Sequence, residues 1–180
     1  MAAQAGGGLK TVCLHGPESV GKSVLAQALA AHFDTVFVPE YGRSYCEAFG
    51  IDLGNADLLK IARVQAAMAH AAVEQANRLL ILDTDPLMTA VWSDMMLGSR
   101  DPWFAAFEET ADLYLLLDTD LPWVDDGTRI YGNVTTRADF FSRCREELIA
   151  RGVEWALVAG TGEARMTAAL AAITRAFPEL

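Results

Sequence analysis

Eight consecutive residues constrain this chain more than any others: Gly16-Pro17-Glu18-Ser19-Val20-Gly21-Lys22-Ser23, a match to G-x-x-x-x-G-K-[ST]. The match follows an apolar, β-branched run from Lys10 to His15 and precedes a helix-favouring stretch that opens at Val24, so the spacing predicts strand, loop, helix. Gly16 and Gly21 let the backbone turn tightly enough for successive N–H groups to face one phosphate, aided by the positive end of the following helix. Lys22 brings a point charge to the outer phosphates, and the Ser23 hydroxyl is a ligand type that suits Mg²⁺. By average residue usage such a match arises by chance in about one chain in 200 of this length. The plain alternative is a glycine-rich turn beside a surface lysine, and the strand-to-helix context argues against it. Residues Gly16 to Val24 are therefore the expected cradle for a nucleotide's phosphates, with Mg²⁺ as companion ion.

The rest of the chain reads as repeats of strand and helix. Candidate strands are Lys10 to His15, Thr35 to Pro39, Leu79 to Asp83, Asp112 to Asp118 and Glu154 to Ala159. Leu79-Leu80-Ile81-Leu82 and Leu113 to Leu117 are apolar throughout, as strands covered on both faces must be. The expected fold is α/β: a three-layer phosphate-loop NTPase with a five-stranded parallel sheet, strand order 2-3-1-4-5 and helices on both faces. Asn55 to Asn77 predicts the longest helix, Pro86 starts another running to Leu97, and Thr136 with Asp139 suggests a capping box for a helix closed by Gly152.

Composition limits the class. A chain of 180 residues can bury roughly 70% of its unfolded surface in one core without staples. Residues 1–9 read as a flexible leader and 10–180 as one domain with a lid segment at about 119–138. A net charge of −10 disfavours nucleic acid as a partner, because phosphate contacts need clustered Lys and Arg. No apolar run approaches the ~20 residues that cross a bilayer. Cys13, Cys46 and Cys144 are odd in number, widely spaced and set among apolar residues, which predicts reduced core thiols in a cytoplasmic protein. Oligomeric state is not legible.

A nucleotide loop needs an acid for its metal, usually at the end of an apolar strand. Asp83 is the preferred one, with Asp118 as the alternative; Asp85 lies two positions beyond Asp83, so one carboxylate can serve the metal and the other an acceptor hydroxyl. An Asp after a strand can also simply open a turn. Glu40 ends the second candidate strand and opens into the same crevice as a base or substrate ligand. Beyond the fourth strand, Arg129 and Arg137 suit a lid that closes over phosphates and neutralises charge, or are surface arginines. None of the three asparagines precedes a Lys and none of the 14 glycines has Asp three positions before it, so the guanine and switch motifs of a GTPase are missing. The Leu-Ser-Gly-Gly signature of transporter ATPases is missing too.

Taken together, GPESVGKS, PEYGRSY, the Asp-Thr-Asp at the third strand end with its following TAVW, and PWVDDGTR with a later arginine resemble the nicotinamide riboside kinase domain of NadR-type proteins, an AAA-type ATPase domain of NAD salvage. The resemblance runs from about Lys10 to the C-terminus. It implies transfer of the γ-phosphate of ATP to the ribose 5′-hydroxyl of nicotinamide riboside, giving the mononucleotide, with Mg²⁺ required. By the same resemblance Gly16 to Ser23 hold ATP, Ser23 serves the metal, Asp83 takes the metal or base position, and Lys22, Glu40, Asp83, Asp85, Arg129 and Arg137 form the catalytic set. Glu40, Tyr41, Arg43 and Asp85 would then sit near the riboside. Better-known members carry an adenylyltransferase domain and some a DNA-binding helix-turn-helix; nine residues before Lys10 accommodate neither, so the expectation is a stand-alone kinase. A pyridinium ring calls for aromatic faces and carboxylates. Tyr41, Tyr45, Trp92, Trp103 and Trp123 are available, each also an ordinary packing residue; Trp123 and Tyr41 are preferred as contacts, with Trp92 beside them. The turn Gly160 to Arg165 either passes the adenine or merely joins strand to helix. Two other functions remain open: a kinase for another nucleoside, and an ATP-binding regulatory module without useful turnover.

Overall fold

The computed structural model describes residues 8–180; all but the last two residues of the expected leader lie outside the described residues. Strands β1 (Lys10–His15), β2 (Phe37–Val38), β3 (Leu79–Leu82), β4 (Leu113–Leu117) and β5 (Trp155–Val158) form one parallel sheet in the order β2-β3-β1-β4-β5, the order expected from sequence. Helices α1 (Lys22–His32), α2 (Tyr41–Phe49), α3 (Asn55–Ala72), α4 (Pro86–Leu97), α5 (Pro102–Ala106), α6 (Val134–Arg151) and α7 (Gly162–Ala176) fill the connections.

The two-residue period of the strands sorts their side chains between two cores. Val12, Leu14, Leu79, Ile81, Leu113, Leu115 and Leu117 pack with α1 and α7 on one face. Cys13, Leu80, Leu82, Tyr114 and Leu116 pack with α4 and α6 on the other. Each fully buried leucine among them contributes roughly 1.5–3 kcal/mol, which makes the centre of the sheet a rigid base for the loops at its carboxyl edge.

Three local expectations change. The second strand shrinks to Phe37–Val38 because Pro39 has no N–H to donate and β2 is an edge strand. Helix α3 ends at Ala72 and passes into a single 3₁₀ turn, Val73–Gln75. Helix α6 starts earlier than Thr136: Asn133 is its N-cap, accepting a hydrogen bond from the Thr136 amide at 3.1 Å, so Thr136 is a first-turn residue and not the cap. Gly152, in the left-handed region at φ 64°, does end that helix. Cys13 and Cys144 are buried, whereas Cys46 is only half-buried.

Candidate active site

Between β1 and α1 the phosphate loop has the shape its glycines predict. Gly16 has φ +134°, and a Cβ there would meet the Leu117 carbonyl oxygen at 3.0 Å; Gly21, at φ 81°, caps α1. Both positions lie where L side chains are strained. Lys22 is buried, with Nζ donating to the carbonyls of Gly16 (2.8 Å) and Pro17 (2.7 Å). Its ammonium carries three donors, so one remains for a ligand.

The loop lines one end of a cavity of about 160 Å³ that continues past Glu40, Arg43 and Arg129 to Trp92 and Met96. Cys46, Ile51, Leu53, Leu58 and Ile61 form much of its apolar side. This crevice opens at the carboxyl edge of the sheet, where the chain leaves β1 for one side and β4 for the other, the usual ligand position in open α/β sheets.

Asp83 follows β3 directly and is 1% exposed, with Oδ1 lacking any hydrogen-bond partner. Burial pushes its carboxyl pKa up and the nearby Glu40 adds to the rise, while the Ser23 hydroxyl and Lys22 pull it down. An unpartnered buried carboxylate oxygen facing a hydroxyl suits a hard divalent ion that takes oxygen ligands and keeps several waters. Among the described residues no cluster of three or more His, Cys, Asp or Glu is arranged to hold a metal, and a Mg²⁺ ion shared with phosphates does not need one.

Asp85 lies elsewhere. It is the N-cap of α4, its Oδ1 accepting from the amides of Leu87 (3.0 Å) and Met88 (3.3 Å) and its Oδ2 accepting from the Tyr114 hydroxyl. Burial raises its pKa to about 6. Both of its oxygens are engaged, and like Asp83 it is outside the crevice lining; in this structure Asp85 serves as the cap of α4. Asp118 accepts from the Thr119 amide at 2.7 Å and is likewise outside the crevice lining.

Of the five aromatics singled out, one reaches the crevice. Trp92 lines the crevice and stacks on Tyr131, centroids 5.6 Å apart at 28°. Tyr41 and Tyr45 pack against each other, and the Tyr45 hydroxyl donates to Asp57. Trp103 packs on Phe104 and Phe107. Trp123 is outside the lining and donates its indole N–H to Glu18 at 2.8 Å. The two lid arginines part company. Arg129 reaches the loop, donating to Ser19 Oγ at 3.0 Å and lying 3.1 Å from Asp126, which pairs with Arg43 at 2.5 Å. Arg137 donates to the Leu121 carbonyl at 3.0 Å and braces the lid backbone without entering the crevice. The turn after β5 is also structural: Arg165, 4% exposed, donates to the carbonyls of Gly160, Val20 and Asp118 and pairs with Asp120.

Gln65 was not among the expected residues. From α3 it accepts from the Tyr41 amide at 2.8 Å and donates to the carbonyls of Pro39 (3.1 Å) and Thr84 (3.3 Å), thereby joining the loop that carries Glu40 to the one that carries Asp83. A signal existed: Gln65 falls on the i, i+3, i+4, i+7 stripe with the buried Leu58, Ile61 and Ala62.

Over 156 residues the chain is 35% identical to the trifunctional NAD biosynthesis/regulator protein NadR of Escherichia coli (strain K12), covering 83% of this chain and 38% of that protein. The NadR of Salmonella typhimurium (strain LT2) is 35% identical over 153 residues, 82% of this chain and 37% of that protein. The chain thus spans less than two fifths of the length of the curated relatives it matches. Among solved structures, NadR in complex with NR superposes with TM-score 0.79 at 24% identity over 96% of this chain and 52% of that one. NadR with NAD and AMP-PNP gives 0.74 at 23% identity over 93% of this chain and 49% of that one. Thymidylate kinase from Candida albicans gives 0.64 at 14% identity over 93% of this chain and 91% of that one; at such identities these likenesses establish the fold. The sequence profile of the AAA domain matches residues 11–165, and the chain belongs to that family.

Proposed function

We propose that the protein is an ATP-dependent kinase that phosphorylates the 5′-hydroxyl of a riboside, nicotinamide riboside first. One observation carries the reading: a single cavity runs from a phosphate loop to a pocket holding Glu40, Arg43 and Trp92, so donor and acceptor share one space. The likeness to NadR proteins, one of them solved with NR, supports the choice of riboside.

In this reading the amides of Gly16 to Ser23 and the remaining donor of Lys22 hold the outer phosphates of ATP. Ser23 and Asp83 would hold Mg²⁺, whose charge would offset that of the phosphates. Glu40 accepts the proton of the 5′-hydroxyl as its oxygen bonds to the γ-phosphorus, and the bond from that phosphorus to the β-phosphate oxygen breaks, leaving ADP. Arg129 stands at the loop to balance charge on the transferring group. Asp85, expected as a partner in this step, keeps its place as the cap of α4.

A kinase for another nucleoside is the second reading, favoured by the Arg43 guanidinium in the acceptor pocket, which repels a pyridinium. Measuring ADP release across nicotinamide riboside, uridine, cytidine and thymidine separates the two. Nicotinamide riboside is expected to give the highest kcat/KM, by about tenfold or ~1.4 kcal/mol. Preference for a neutral pyrimidine nucleoside overturns the acceptor assignment, and tight ATP binding with no turnover of any riboside replaces the kinase by a regulatory module.

A further inference from the structure

Glu18 is an odd residue for a phosphate loop. A carboxylate there adds negative charge beside a polyanion, yet it is 7% exposed, so it is neither solvated nor free. Its partners explain it. Oε1 accepts from the Trp123 indole N–H at 2.8 Å and the Tyr131 amide at 2.6 Å, and Oε2 accepts from the Ile130 amide at 3.2 Å. Every donor belongs to the lid. Ser19, next in the loop and at φ 61°, adds three more links: its hydroxyl accepts from the Val124 amide (2.9 Å) and from Arg129 (3.0 Å) and donates to the Pro122 carbonyl (3.3 Å). Two side chains of the phosphate loop thus hold residues 122–131; Ser19 takes the Arg129 guanidinium directly, and Glu18 holds the backbone just after it at Ile130 and Tyr131.

Resting on the kinase reading above, we propose that Glu18 is a positioning residue: it docks the lid on the phosphate loop and so sets Arg129 at the place where the transferring phosphate is charged. The phosphates themselves are held by the loop's amides and Lys22, which Glu18 does not touch, so its contribution falls on turnover and not on ATP binding. Both of its oxygens accept from lid donors.

The full chain, wild type and Glu18→Ala, is compared by amide hydrogen exchange without nucleotide and by steady-state kinetics with ATP and nicotinamide riboside. In Glu18→Ala the Ile130 and Tyr131 amides are expected to exchange about tenfold faster, because hydrogen bonds to a charged acceptor are among the stronger ones. The kcat falls about tenfold while KM for ATP stays within about threefold. Glu18→Gln keeps one acceptor oxygen and lies between the two. Combined with Arg129→Ala, the loss should not multiply, since one acts through the other. Unchanged lid exchange, or losses that multiply fully, overturns the proposal. Should Glu18→Ala fail to fold, Trp123→Phe removes one lid donor from outside the loop, and Tyr131 exchange unchanged in that variant counts equally against docking. A wild-type protein that phosphorylates no riboside refutes the kinase reading, and the exchange measurement still decides whether Glu18 docks the lid.

Discussion

Replacing Gln65 by Leu tests whether one side chain inside α3 holds the two acid-bearing loops together. Leu fills nearly the same volume, so no large cavity forms, but the Tyr41 amide and the carbonyls of Pro39 and Thr84 lose the partner that Gln65 gives them. Leaving a buried polar group unpaired costs about 1–3 kcal/mol, in full for the buried Thr84 carbonyl and in part for the half-buried Tyr41 amide and the more exposed Pro39 carbonyl. Part is recovered because Gln65 is 1% exposed and a buried Leu is favourable by ~1.5–3 kcal/mol. The expected net loss is about 2–4 kcal/mol, or roughly 4–16 °C in Tm for a domain of this size. Equilibrium urea unfolding followed by circular dichroism reads it as a lower midpoint at unchanged slope. Because the freed segments flank Glu40 and Asp83, KM for the riboside should rise more than KM for ATP. A stability loss below about 1 kcal/mol together with unchanged kinetics refutes the idea that Gln65 joins these loops.

Three further outcomes concern Asp85 and the metal position. Asp85 has its pKa raised to about 6 from an ordinary 3.8, so the folded state binds that proton more tightly than the unfolded one. This contribution is fully present below pH 3.8, is lost as pH rises through about 6, and amounts to about 3 kcal/mol. Asp85→Asn keeps a good cap and should flatten stability across that window, as measured by denaturation at several pH values; a window as steep as in wild type contradicts the assignment. Asp83→Asn and Ser23→Ala should each weaken nucleotide binding in Mg²⁺ much more than in a chelator, read by calorimetry, and equal losses in both conditions speak against a metal role. Since burial and Glu40 raise the Asp83 pKa, the wild-type Mg²⁺ requirement should rise on acidification sooner than an ordinary carboxylate would make it, a trend absent in Asp83→Asn.

The sheet was legible because strands buried on both faces leave continuous apolar runs, and the glycine spacing at residues 16 and 21 left one place for the loop. The site was legible only in part. Glu40, Arg43, Trp92 and Arg129 line the crevice, whereas Asp85 caps α4, and Asp followed by Pro86 at the first helical position is itself a cap signal. Trp123 and Arg137 belong to an irregular segment and its helix junction, where no period tells which way a side chain points. Glu18 was read only through its backbone, because nothing in eight residues of loop reveals that donors more than a hundred positions away converge on it.

The same long reach bears on how the protein is made. The loop at residues 16–23 is synthesised before the rest of the domain, yet Gly16 packs against the Leu117 carbonyl and the Val20 carbonyl is held by Arg165, 145 positions further on. Strand β1 likewise pairs with β3 and β4 and has no neighbour in the sheet before residue 79 is available. Nucleotide in the cell therefore has no finished cradle to stabilise until almost the whole domain has been translated. Such non-local closure is slow, and the nascent apolar strands must be kept from other chains meanwhile.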